Sequence, residues 1–141
     1  MISLDEPKEF NPKFEAAGCF LEFNKRILLL LRQDHKPDGN TWGLPSGKVN
    51  DGEDYTSAII REVREETNIK LENVKYFERV YVKFPEYDFI YHIFSTRLDK
   101  IPRIRINNLE HKDSRWVSPK DALKLHCIRD LDACIKFFYK L

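Results

Sequence analysis

The feature that most constrains this chain is the crowding of glutamates between Gly47 and Ile69, GKVNDGEDYTSAIIREVREETNI. The segment predicts a helix that starts near Asp54 to Thr56 and stops near Asn68. At about 100° per residue, Glu62, Glu65 and Glu66 fall on one face, while Ile59, Ile60 and Val63 fall on another. One side therefore packs and the other collects carboxylates. Carboxylates at i, i+3 and i+4 repel one another by roughly a few tenths of a kcal/mol per pair, so their proximity brings no gain unless a cation sits among them. Oxygen-only ligands suit a hard ion, Mg2+ or Mn2+.

The preceding segment, Trp42-Gly43-Leu44-Pro45-Ser46-Gly47-Lys48, supports the same chemistry. It delivers a glycine, whose bare backbone can approach an ion or ligand closely, and a lysine that can meet phosphate. Glu53 lies one turn before the helix and Arg61 on its acidic flank, so the two are expected to form an ion pair that fixes the helix against its loop and orients the ligands beyond it.

These residues resemble the Nudix box, G-x5-E-x7-R-E-U-x-E-E-x-G-U with U aliphatic. Gly47, Glu53, Arg61, Glu62, Val63, Glu65, Glu66 and Ile69 match in register, and the Leu-Pro-x-Gly-Lys lead-in is also similar. Asn68 stands where the family has glycine. That glycine ends the helix in a left-handed conformation, which Asn tolerates best after Gly. Ser46 replaces a frequent lead-in glycine. The resemblance implies an α/β/α sandwich with a mixed β-sheet. It also implies hydrolysis, by water attack on phosphorus, of a nucleoside diphosphate linked to another group X. Carried over by position, it makes Glu65 and Glu66 direct metal ligands. Glu62 becomes a base or a further ligand, and a main-chain carbonyl of Ser46 or Gly47 an additional one. Glu53 and Arg61 orient the helix.

The remainder of the chain is consistent with that fold class. Its 141 residues suit one domain with a real core, and 42% hydrophobic with 33% charged residues is ordinary for a globular protein. The expected division is an arm over residues 1–12, carrying Pro7 and Pro12, and a single domain over 13–141. Net charge is +1, which gives no sign of stable nucleic-acid or membrane binding. No apolar run approaches the roughly 20 residues of a membrane span. Cys19, Cys127 and Cys134 form no C-x-x-C pair, and an odd number fits a reducing, cytosolic location. Cys127, Leu131, Cys134 and Phe138 follow helical spacing, which predicts small core residues on a last helix over about Arg129 to Lys140.

Expected strands are Phe14 to Phe23 and Ile27 to Leu31, paired as a hairpin about Asn24-Lys25. The aliphatic Ile27 to Leu31 run should be covered on both faces. Val74 to Phe84 and Tyr87 to Thr96 predict a long antiparallel hairpin about Pro85-Glu86. Pro102 to Asp113 reads as a loop before a short strand at Trp116-Val117, and Ser118-Pro119-Lys120-Asp121 as a helix start.

Outside the box, Glu110 resembles a downstream acid that some relatives use as base or metal ligand; a solvated loop glutamate is the alternative. His111 beside it is a further candidate base, on a loop where histidines are mostly exposed. Arg32 and Lys48 are candidate phosphate contacts, and Trp42, Phe84 and Tyr87 candidate stacking partners for a base. Some dinucleoside polyphosphate hydrolases of the family carry a Tyr, and some ADP-ribose hydrolases a Pro, in the window where Tyr87 and Pro85 both lie, so the two hints cancel. A nucleoside triphosphate, as for MutT-like members, is the best single reading. The expected partner is a nucleotide-type small molecule, with a homodimer as the only protein assembly allowed for. The alternative is an inactive Nudix-fold nucleotide sensor, which is expected to lose one or more of the glutamates that this chain keeps.

Overall fold

The structure is a computed structural model describing residues 1–141. Its centre is the strand β2, Pro12–Phe23, which reaches almost all its neighbours through backbone pairing. One edge pairs in parallel with β7, Asp88–Arg97. The other edge starts as a hairpin with β3, Arg26–Arg32, but only Glu22↔Ile27 and Phe23↔Arg26 pair. Asn24 and Lys25 both have positive φ, 51° and 62°, the conformation of the tight hairpin turn whose twist matches its strands. Beyond those two pairs the arms splay. Into the gap runs the Trp42–Lys48 segment, placing β4, Trp42–Gly43, on β3 and β5, Ser46–Lys48, on β2. The hairpin expected from the sequence therefore exists only at its base, because β2 and β3 each spend the rest of that edge on another strand.

Further strands complete one mixed sheet. β6, Lys75–Lys83, pairs antiparallel with β7 around Pro85-Glu86, with Phe84 N–H donating to Tyr87 C=O at 3.0 Å. β1, Ile2–Ser3, pairs with β6 at the edge. β8, His111–Val117, lies on the outer side of β3. It starts five residues before the short strand expected at Trp116, so His111 to Asp113 belong to the sheet and not to a loop.

Both faces are covered, which explains the unbroken Ile27–Leu30 run. Leu28 and Leu30 join Ala17, Cys19 and Leu21 under α1, Tyr55–Thr67, against Ile59 and Val63. Ile27 and Leu29 join Phe20, Val82 and Ile93 on the opposite face. That face is closed by α2, Pro119–Ala122, and α3, Leu131–Tyr139, through Ala122, Leu131 and Ile135. Cys134 is buried on α3, but Cys127 precedes that helix and bridges Trp42 instead. The helix starts two residues later than expected, since Asp130 sits at φ 66° and cannot be helical. No helix is long and apolar enough to cross a membrane.

Gly18 shows how tightly β2 is packed. A Cβ there would lie 1.7 Å from Tyr91 Oη and 3.3 Å from Ser46 Cβ. Gly18→Ala is therefore expected to destabilise by about 1 to 3 kcal/mol, the usual cost of overpacking. Urea unfolding checks this, and an unchanged midpoint would show that Tyr91 moves aside freely.

Candidate active site

The acidic helix is held at both ends by local devices. Asp54 caps it, its Oδ1 accepting from Ser57 N–H at 2.7 Å, and Asn68 ends it at φ 63° with its N–H on Arg64 C=O. Asn thus takes the left-handed position that a glycine more often fills. The expected helix limits are met at both ends.

On this helix Arg61 is a hub. Its Nε and Nη2 meet the two Glu53 oxygens at 2.9 Å each, and Nη2 also donates to Lys48 C=O at 3.0 Å. Nη1 reaches Glu62 Oε1 at 2.7 Å and Glu65 Oε2 at 3.3 Å. The expected Glu53–Arg61 pair is present as a two-point fork. It holds the Glu53 carboxyl down at about 2, chiefly through the Arg61 hydrogen bonds and then through Asn50 N–H.

Glu62 presses against the chain at Gly47. A Cβ on residue 47 would lie 2.1 Å from the Glu62 carboxyl carbon, so only glycine admits that side chain. Burial raises the Glu62 carboxyl even though Arg61 pulls it down. Glu65 is the exposed member, at 54%. Glu66 is the buried one: its Oε1 accepts from Ser46 N–H at 2.7 Å, and Oε2 lies 3.6 Å from His111 Nδ1. Burial pushes the Glu66 carboxyl well up, with Glu62 and Glu110 adding to it and Ser46 N–H and Arg32 opposing.

His111 is 3% exposed rather than a solvated loop histidine, and its Nδ1 has no hydrogen-bond partner. Burial, then the Arg32 charge, lowers it to about 4, so the ring is neutral at pH 7. The ligand atoms that Glu62, Glu65, Glu66 and the Ser46–Gly47 carbonyls offer are all oxygen, with His111 Nδ1 the nitrogen beside Glu66, and two of the carboxyls carry charge that burial disfavours. That donor set fits a hard divalent cation. As they stand, no three of the acidic or histidine side chains are grouped so as to hold a metal ion, and Arg61 Nη1 engages Glu62 and Glu65.

Beside this helix face opens a cavity of about 260 Å³. Ser46, Gly47, Lys48 and Glu66 form one wall, Arg32 and His111 stand beside them, and Phe14, Phe84, Tyr87 and Phe89 bring aromatic surface. Arg32 and Lys48, the candidate phosphate contacts, both line the cavity, where Arg32 Nε donates to Pro37 C=O and Lys48 Nζ lies 4.6 Å over the Phe14 ring. Tyr87 and Phe84 line the cavity. Trp42 does not: it is 7% exposed in the core, with Arg115 4.9 Å over its ring, and is withdrawn as a stacking partner. Glu110 pairs with Lys36 at 3.2 Å and acts on Glu66 through its charge. Sequence reasoning missed Phe14, Phe89 and Arg129 in the cavity wall, because no local pattern distinguishes them from core or surface residues.

The comparisons agree with this fold. The chain matches the NUDIX domain over residues 12–135. It is similar to the uncharacterised Nudix hydrolase YvcI of Bacillus subtilis (strain 168), with 40% identity over 56 residues that cover 40% of this chain and 33% of that protein. Among solved structures it resembles a MutT protein from Methanosarcina mazei Go1, at TM-score 0.82 and 24% identity over 95% of this chain and 97% of that one. It also resembles the NUDIX domain of Shewanella oneidensis NrtR complexed with ADP ribose, at TM-score 0.79 and 17% identity over 96% and 92% of the two chains. At these identities the structural likeness speaks for the fold. The chain belongs to the Nudix family.

Two expectations follow from the geometry. Arg61→Ala and Glu53→Gln should each slow catalysis by more than any loss of stability explains, since ~1 Å misplacement of a reacting group can cost about 10²-fold. In a double-mutant cycle the pair should lose less than the sum of the singles; strictly additive losses in rate would show that the fork does not act as a unit.

The second concerns Glu66. A carboxyl whose folded pKa is raised contributes stability below its unfolded value of about 4.3, and this is lost as pH rises through the folded value. Glu66→Gln keeps an acceptor for Ser46 N–H and removes the buried charge. In chelator it should melt higher than the wild type, by roughly 3 °C per kcal/mol relieved, with a gain at about pH 8 that shrinks toward about pH 5. Calorimetry at both pH values tests it, and a lower melting temperature at each would refute it.

Proposed function

We propose that this protein hydrolyses the pyrophosphate linkage of a nucleoside diphosphate joined to a second group, with a nucleoside triphosphate the best reading of the substrate. The carrying observation is that Glu66 belongs both to the acidic helix face and to the wall of an aromatic cavity. A molecule with phosphates at one end and a planar base at the other spans such a junction. Glu62, Glu65 and Glu66, with a main-chain carbonyl of Ser46 or Gly47, would hold Mg2+, or Mn2+ in its place. When bound, that ion supplies charge neutralisation and a more acidic water.

The chain's own residues do the rest. Lys48 and Arg32 bring positive charge to the phosphate end. Phe84 and Tyr87 offer faces for a base. Arg61 sets the Glu62 and Glu65 carboxylates, and Glu53 holds Arg61 in turn, so neither needs to touch substrate. Glu62, half-buried with a raised carboxyl, suits either a proton acceptor or a further ligand. Glu110 acts from its place beside His111, through its charge on Glu66. The same reading treats residues 13–141 as the catalytic domain and residues 1–12 as an arm that reaches the cavity wall through Ile2. It puts the protein in the cytosol, where its three thiols, free in the structure, stay reduced.

The test is phosphate or pyrophosphate release from a nucleotide panel with saturating Mg2+, run on the wild type and on Glu65→Gln. Glu65 is the most exposed of the three acids, so its amide variant should fold normally and lose about 10²-fold or more in rate. Near-wild-type turnover in that variant would sink the metal assignment. A panel with tight binding and no turnover would favour the nucleotide sensor.

A further inference from the structure

Three segments far apart in sequence meet at the cavity, and one side chain joins them. Arg129, just before α3, places Nη1 on the two Glu86 oxygens at 2.9 and 3.1 Å and Nε on Asp38 Oδ2 at 3.1 Å. Its guanidinium carbon lies 3.9 Å from the centroid of the Phe84 ring. Arg129, Asp38, Phe84 and Tyr87 all line the cavity. The ion pairs keep solvent contact, with side-chain exposures of 36% for Arg129, 28% for Asp38 and 55% for Glu86. Exposed pairs of this kind are weak and exchange easily, so they orient the guanidinium without locking it.

Two carboxylates, Asp38 and Glu86, surround the one guanidinium of Arg129. Their local excess of negative charge disfavours a phosphate beside Arg129, and a neutral planar group fares better there. Its ring stacks on aromatic or guanidinium faces, its carbonyl or ring nitrogens accept from Arg129, and its amino or imino N–H groups donate to Asp38 or Glu86.

We propose that Arg129, clasped by Asp38 and Glu86 over Phe84, is a specificity-determining residue that recognises the nucleobase of the substrate. The identity of the ligand class rests on the hydrolase reading above. The recognising element is the guanidinium plane. Lysine can replace its charge but has neither the plane nor the fork of donors.

Binding without turnover tests this. The full chain with Mg2+ is titrated calorimetrically with the 5′-monophosphates of adenosine, guanosine, cytidine and uridine, and with ribose 5-phosphate, which lacks the base. At least one nucleotide should bind ~10-fold more tightly than ribose 5-phosphate to the wild type. Arg129→Ala should cut that advantage to within ~3-fold and leave ribose 5-phosphate within ~2-fold of the wild-type affinity. Arg129→Lys should resemble the alanine variant, and melting curves of both confirm that each is folded.

A base advantage that survives Arg129→Ala, a wild type with no base advantage, or an equal loss for ribose 5-phosphate overturns the proposal. The hydrolysis panel answers separately. Turnover without an Arg129-dependent advantage keeps the hydrolase and removes this role, whereas an Arg129-dependent advantage without turnover does the reverse.

Discussion

The arrangement of this site depends on one guanidinium shared among three carboxylates. Arg61 spends its rigid fork on Glu53 and its remaining donors on Glu62, Glu65 and the Lys48 carbonyl. Each contact ties the helix to the loop that precedes it or sets the direction of an acid that points away from the core. The negative charges on α1 would otherwise repel one another with no structural return. With Arg61 in place the charges of Glu62 and Glu65 are offset by a cation of the chain itself.

The splayed hairpin of β2 and β3 makes room for this. Had the two strands stayed paired, the Trp42–Lys48 segment would have had no edge to join. Because they part after two residue pairs, β5 lies on β2 at Ala16 to Gly18 and brings Ser46 and Gly47 beneath the helix. Ser46 then supplies the N–H that Glu66 needs, and Gly47 the space that Glu62 needs. Backbone pairing in the sheet therefore determines which acids are buried. Glu66 and Glu62 have their carboxyls raised, while Glu53, facing Arg61, has its carboxyl lowered.

The candidate site lies where the two cores meet. One lies under α1 and the other under α3, and Glu66 passes from the first side to the cavity on the second. At this junction the acidic helix face borders a group of aromatic rings.

Much of this was legible in the sequence, for a local reason. The limits of α1, the common face of Glu62, Glu65 and Glu66, the Glu53–Arg61 pair and the left-handed Asn68 all follow from helical periodicity and capping within one short stretch. The two-sided cover of Ile27–Leu30 and the turn at Pro85-Glu86 are likewise written in neighbouring residues. What the tertiary structure decided involves partners distant in the chain. His111 is buried because β8 pairs with β3, Trp42 joins the core because β4 fills the hairpin gap, and Cys127 lies ahead of α3, bridged to Trp42, and not on the helix that its spacing suggested. The cavity needs Phe14, Phe84, Tyr87 and Arg129 together, and its clasp joins Asp38, Glu86 and Arg129. No periodicity links those positions; only the folding of the sheet and the closing of α3 over it bring them within reach.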